Sequence, residues 1–94
     1  MNLLYTKHTA VERFVKERRK IDLVRPSFFR EHLIGLPRGS TIIGNLPVPT
    51  AALICAAGHH YQHVMIPRAR HGGTELPALR AYAWLAEFHV EEID

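Results

Sequence analysis

The chain has 94 residues, 47% of them hydrophobic, with a formal net charge of +3 and an isoelectric point near 9.4. Those figures describe one modest core over residues 1–94. The chain is too apolar for disorder, its weak positive charge suits an anionic ligand, and it is too weakly basic to argue for duplex DNA. No apolar run approaches the roughly 20 residues of a membrane span, and the N-terminus lacks the long apolar core and cleavage site of a signal peptide.

Leu3-Leu4-Tyr5 reads as a short first strand. Thr9 and Glu12 then match a capping box, in which the Thr9 hydroxyl accepts from the Glu12 N–H and the Glu12 side chain reaches back. Val11, Phe14 and Val15 follow at helical spacing and set an inward stripe. Arg13, Lys16, Glu17 and Arg19 fall largely on the wet face, with Glu12 and Lys16 placed to pair one turn apart. Ile21 to Val24 is a second strand, stopped by Pro26. Ser27 can cap a short helical turn through Phe28, Phe29 and Leu33, and Leu36 to Gly39 is a turn.

Ser40-Thr41-Ile42-Ile43-Gly44 is β-branched and almost continuously apolar, as a strand buried on both faces of a parallel sheet must be. Asn45 to Pro49 leads into a small, apolar helix that opens on Pro49 and stops at Gly58. That helix carries the one cysteine, Cys55. A lone cysteine forms no internal disulfide, so it reads as a small buried residue of a protein from the reducing cytoplasm. Tyr61 to Ile66 is a fourth strand and Pro67 to Thr74 a polar loop. Pro77 opens a last helix with Leu79, Tyr82, Ala83 and Leu85 inward, and Glu87 to Val90 closes the domain as a fifth strand.

Strands alternating with helices predict a single α/β domain, a mainly parallel sheet of about five strands flanked by helices. Ligands of such sheets bind outside the carboxyl ends of the strands, near a switch in strand order. That rule gathers three loops into one candidate site. The first holds Thr6, Lys7, His8 and Thr9 at a helix N-terminus, whose free N–H groups favour an anion. In the second, Gly44-Asn45-Leu46-Pro47, Gly44 permits close approach and the Asn45 amide can donate and accept in a flat, base-like geometry. The third offers Arg68, Arg70 and His71 to phosphate oxygens, with Gly72 and Gly73 as a mobile hinge. Gly-x-Ser-x-Gly hydrolase elbows, phosphate loops and paired cysteines are absent. Of the seven histidines, His60 and His63 stand three apart, which on a strand points them to opposite faces, so no metal site is expected.

The assembled motifs resemble a small CRISPR-associated family found with type III systems, some of whose members are ring nucleases. The residues that carry the resemblance are Tyr5-Thr6-Lys7-His8, Ile42-Ile43-Gly44-Asn45-Leu46-Pro47-Val48, Cys55-Ala56-Ala57-Gly58, Glu75-Leu76 and Leu85-Ala86-Glu87-Phe88-His89-Val90. Gly44-x-Leu46-Pro47-Val48 is the most specific of them. Where an Arg-Gly-Arg run is expected before Glu-Leu, this chain reads His71-Gly72-Gly73-Thr74, so Arg68 or Arg70 must supply the phosphate-binding charge. The stretch from Pro26 to Leu33 is more aromatic than the pattern.

The resemblance implies a small Rossmann-like (CARF-like) fold, a homodimer, and cyclic oligoadenylate, above all the tetra-adenylate, as the second messenger bound. It implies metal-independent cleavage by ribose 2′-OH attack, without cofactor, that switches off type III antiviral signalling. His8, Arg70 and His71 are then the candidate catalytic residues, and Lys7 with the loop arginines holds the phosphate. Two other readings stay open: a non-catalytic sensor or sponge of the same fold, and a general RNA-binding protein using the basic first helix.

Overall fold

The computed structural model describes residues 1–66 and 75–91. In chain order they form β1 (Asn2–Tyr5), α1 (Thr9–Lys16), β2 (Leu23–Arg25), a 3₁₀ turn (Arg30–Leu33), β3 (Thr41–Gly44), α2 (Val48–Ala56), β4 (His60–Met65), α3 (Leu76–Tyr82) and β5 (Trp84–Phe88). The five strands make one sheet in the order β2-β1-β3-β4-β5. The first four run parallel, and β5 returns antiparallel beside β4. This is the Rossmann-like α/β arrangement the sequence predicts.

The two sheet faces are packed differently. On one, Leu4, Ile43 and Val64 meet Val11, Phe14 and Val15 of α1 and Leu79 of α3. On the other, Leu3, Tyr5, Ile42 and Tyr61 meet Ala51 and Ile54 of α2. Alternation along β1 explains the split, because Leu4 points one way and Leu3 and Tyr5 the other. Ile42 and Ile43 are both fully buried, one per face, as the apolar run of β3 requires.

Several boundaries differ from the sequence reading, each for a physical reason. Residue 8, not 9, is the N-cap of α1: His8 keeps extended backbone angles while Thr9 is already helical. No capping box forms, because the Glu12 carboxylate accepts from the Lys16 ammonium at 2.7 Å instead. β2 is Leu23–Arg25, so Arg25 joins the ladder before Pro26 ends it. The 3₁₀ turn is entered through Phe29, not Ser27. Pro49 and Pro77 each sit one place beyond the first residue of their helix, still in the turn whose N–H groups lack intrahelical partners. Gly58 ends α2 at φ +87, which only glycine adopts cheaply. The last strand starts at Trp84, so Leu85 is a strand residue, and Tyr82 is 46% exposed rather than inward. The antiparallel pairing explains that shift: the chain reverses directly after α3 instead of crossing over.

Candidate functional site at the carboxyl edge of the sheet

The strand order reverses between β1 and β3, since the chain runs outward to β2 and returns to β3. At that switch a cleft of about 310 Å³ opens, lined by residues from the ends of all four parallel strands. Thr6, Lys7 and His8 at the head of α1 line it, as do Pro26, Ser27 and Phe28 after β2. Asn45, Leu46 and Ile66 lie after β3 and β4. The Thr6 hydroxyl accepts from the His8 N–H at 3.1 Å, which holds the β1–α1 turn. No side chain caps α1, so its first-turn N–H groups remain available beside Lys7. The cleft therefore joins a cationic, donor-rich mouth to an apolar wall.

The second loop is held by hydrogen bonds the sequence alone does not reveal. Tyr61, from β4, is only 2% exposed. Its hydroxyl accepts from the Leu46 N–H at 2.9 Å, lies 3.1 Å from the Gly44 carbonyl oxygen and 2.6 Å from His63 Nδ1. A phenol has one proton and two acceptor sites, so all three bonds are made when Tyr61 donates to Gly44 and His63 Nδ1–H donates to Tyr61. Burial raises the Tyr61 pKa and lowers that of His63, which keeps both groups neutral. The Asn45 amide also donates to the Val64 carbonyl at 3.0 Å, so half its donor capacity ties the loop to β4.

The close approach expected at Gly44 is made by backbone. A Cβ there would lie 3.0 Å from the Tyr5 carbonyl oxygen, an atom of the neighbouring strand that has little room to retreat. Register places Gly44 in a row that crosses the sheet: Arg25, Tyr5, Gly44, His63 and Ala86 are successive partners. Side chains in such a row share one face, here the α2 face.

The structure thus brings Thr6, Lys7, His8, Asn45 and Leu46 to one cleft. Thr9 is the exposed first residue of α1 and Pro47 the N-cap of α2; neither lines the cleft. Arg68, Arg70, His71, Gly72 and Gly73 lie outside the described residues. The sequence reading missed the Pro26–Phe28 wall, the Tyr61–His63 pair and the contact of Tyr5 with His32. Aromatic enrichment from Pro26 onward was the one available signal. His60 and His63 do face opposite ways: His63 packs edge-on near Phe88 while His60 sits 3.6 Å from Glu87. Among the described residues, no three His, Cys, Asp or Glu side chains gather where a metal ion could be held. No helix among them is long and apolar enough to cross a membrane.

The model of a family described as "Putative CRISPR-associated protein (Cas_VVA1548)" matches residues 3–91. No curated protein and no solved structure matches the chain.

Proposed function

The chain belongs to this family of CRISPR-associated proteins, and from that premise we propose that it binds cyclic oligoadenylate, most favourably the tetra-adenylate, and cleaves it without metal. The observation that carries the reading is the cleft at the strand switch, where Lys7, His8 and the uncapped head of α1 face Pro26, Phe28 and Leu46. A nucleotide has that same division, anionic phosphate at one end and flat apolar base at the other. Base–aromatic stacking is worth about 1–3 kcal/mol per base.

RNA carries its own nucleophile. The ribose 2′-oxygen attacks the adjacent phosphorus, the bond to the 5′-oxygen breaks, and the departing oxygen takes a proton. The products are linear adenylates ending in a 2′,3′-cyclic phosphate. Lys7 and the α1 N–H groups neutralise the phosphate, and His8 takes the 2′-OH proton or supplies the leaving oxygen's proton. Arg68, Arg70 and His71, in the third loop, are the further candidates for these tasks. A two-fold-symmetric ring suits a homodimer in which each subunit presents the same loops to half the ring.

Purified protein incubated with cyclic tetra-adenylate and EDTA should yield linear products, and should scatter light as a dimer. His8→Ala should slow single-turnover cleavage by roughly 10²–10⁴-fold with binding nearly intact. Lys7→Ala should weaken both, because its charge acts in the ground state too. Tight binding without product would instead make the protein a sponge, and no binding would end the cyclic-nucleotide reading altogether.

A further inference from the structure

A second cavity, of about 410 Å³, lies on the α2 face beneath β2 and the 3₁₀ turn, lined among others by Arg25, Glu31 and His32. Arg25 is half-buried at the end of β2, opposite Tyr5 in the sheet. Among the described residues no carboxylate pairs with it, whereas Arg18 and Arg80 both pair with Glu17. Glu31 shares the cavity without closing on Arg25. The Arg25 Nε is buried and has no hydrogen-bond acceptor in the protein. Burial raises the Tyr5 pKa, and the neighbouring Arg25 charge opposes that rise.

The bonding around His32 settles which groups face outward as donors. His32 Nδ1 lies 3.1 Å from the Tyr5 hydroxyl and accepts from the Phe29 N–H at 3.3 Å. A backbone N–H can only donate, so Nδ1 carries the lone pair and the neutral ring's proton sits on Nε2. Tyr5 then donates to His32, and Arg25 stands beside it as its partner in the ladder. The pair Tyr5–His32 is consistent in one direction only, and the groups left unspent beside it are donors: the Arg25 Nε–H and the His32 Nε2–H. The Tyr5 and His32 rings stack at 5.6 Å and 19°. Phe28 meets both edge-on, at 5.3 and 6.1 Å. The cluster is therefore rigid, and Phe28 is the wall it shares with the cleft at the strand switch.

We propose that Arg25 and His32, both beside Tyr5 and lining one cavity, form a second anion site that takes a phosphate group. A cluster with donors left over, one fixed positive charge and no acceptor committed to it is complementary to an oxyanion and to little else. That this phosphate is a second phosphodiester of the cyclic adenylate rests on the proposed function; recognition of phosphate itself does not.

The test titrates the full chain with inorganic phosphate, and separately with cyclic tetra-adenylate, while NMR follows the Arg25 Nε–H and His32 ring resonances. Both ligands should shift these resonances saturably. Arg25→Gln should remove the phosphate response at His32 and weaken cyclic tetra-adenylate about tenfold or more, as loss of a charge-assisted bond does. Lys7→Ala, which disables the neighbouring cleft, should leave the phosphate response at His32 in place. If Arg25→Gln does not give a folded amide spectrum, His32→Gln read at Arg25 Nε–H serves instead, and a phosphate response as strong as wild type there overturns the proposal. Resonances that ignore both ligands overturn it too, as does an undiminished response in Arg25→Gln. A response to phosphate in a protein that does not bind the cyclic adenylate at all leaves the anion site standing and removes the proposed function. Tight adenylate binding in a protein whose Arg25 and His32 resonances ignore phosphate does the reverse.

Discussion

The two faces of the sheet carry cores of similar size and different character. Under α1 and α3 the buried set is Leu4, Val11, Phe14, Val15, Ile43, Val64 and Leu79, with no polar atom among their side chains. Under α2 it includes Tyr5 and Tyr61, each buried as a ring and each spending its hydroxyl at the carboxyl edge. The core of the first face holds the domain together by apolar burial. The second also holds loops in place, because every phenol that reaches the edge fixes backbone or imidazole there. The two buried phenols thus reach toward the edge where the strand order switches, while Ser40 and His59 are buried at the opposite edge, just before β3 and β4.

Phe14→Ala should break the first face and give the largest effect. The ring is fully buried, with the Arg18 guanidinium 3.8 Å from its centre. Losing it should cost about 3–5 kcal/mol, a large share of the roughly 5–15 kcal/mol that holds a typical domain folded. Urea unfolding measures this directly, and a loss below about 1 kcal/mol would mean this face contributes little.

Tyr61→Phe tests the second face with no change in burial. The Leu46 N–H and Gly44 carbonyl lose their partner together, which should cost about 1–3 kcal/mol. Hydrogen exchange at the Leu46 amide should quicken more than exchange within β3. Equal protection in both proteins would show that the hydroxyl does not hold the loop.

Acid should separate the faces next. His63 and His59 both have lowered pKa values, chiefly from burial, and His59 Nδ1 is buried without a partner. Each therefore binds its proton more readily in the unfolded chain, so the stability they contribute is complete above the usual histidine range. It is lost as pH falls through their lowered native values. The urea midpoint should drop between pH 7 and pH 5, and His63→Gln should flatten part of that slope. A slope unchanged by His63→Gln would assign the acid sensitivity to His59.

The smallest change should come from Arg80→Ala, which removes the ion pair to Glu17 joining α3 to α1. Both partners are solvent-exposed, and surface pairs contribute little. A midpoint within error of wild type is expected; a clear loss would show that α3 depends on this charge for its docking.

Much of the fold was legible because its signals are local. The stripe of Val11, Phe14 and Val15, the apolar run of Thr41 to Gly44 and the stop at Gly58 each lie within a few residues. Loops after β1 and β3 reach one cleft because parallel topology forces it. What escaped depends on contacts far apart in sequence. Tyr5 meets His32 across 27 positions and Leu46 meets Tyr61 across 15, and no periodicity announces either. Gly44 read as a place where a ligand or backbone comes close, and only the structure shows that the atom is a backbone oxygen of β1. The capping box failed for a local reason, because Glu12 had a lysine one turn ahead.

The row that runs from Arg25 through Tyr5 and Gly44 to His63 constrains how such a sequence can evolve. Along each strand the next residue back points to the opposite face, so the neighbouring row reads Val24, Leu4, Ile43 and Gln62. Losing a single codon inside β1 would not merely shorten a strand. It would turn the phenol into the aliphatic core and leave a leucine at the polar edge, exchanging the two surfaces at once. Substitutions can accumulate here one at a time, but changes of length cannot, and variation in length should therefore collect in the connections rather than in the three central strands.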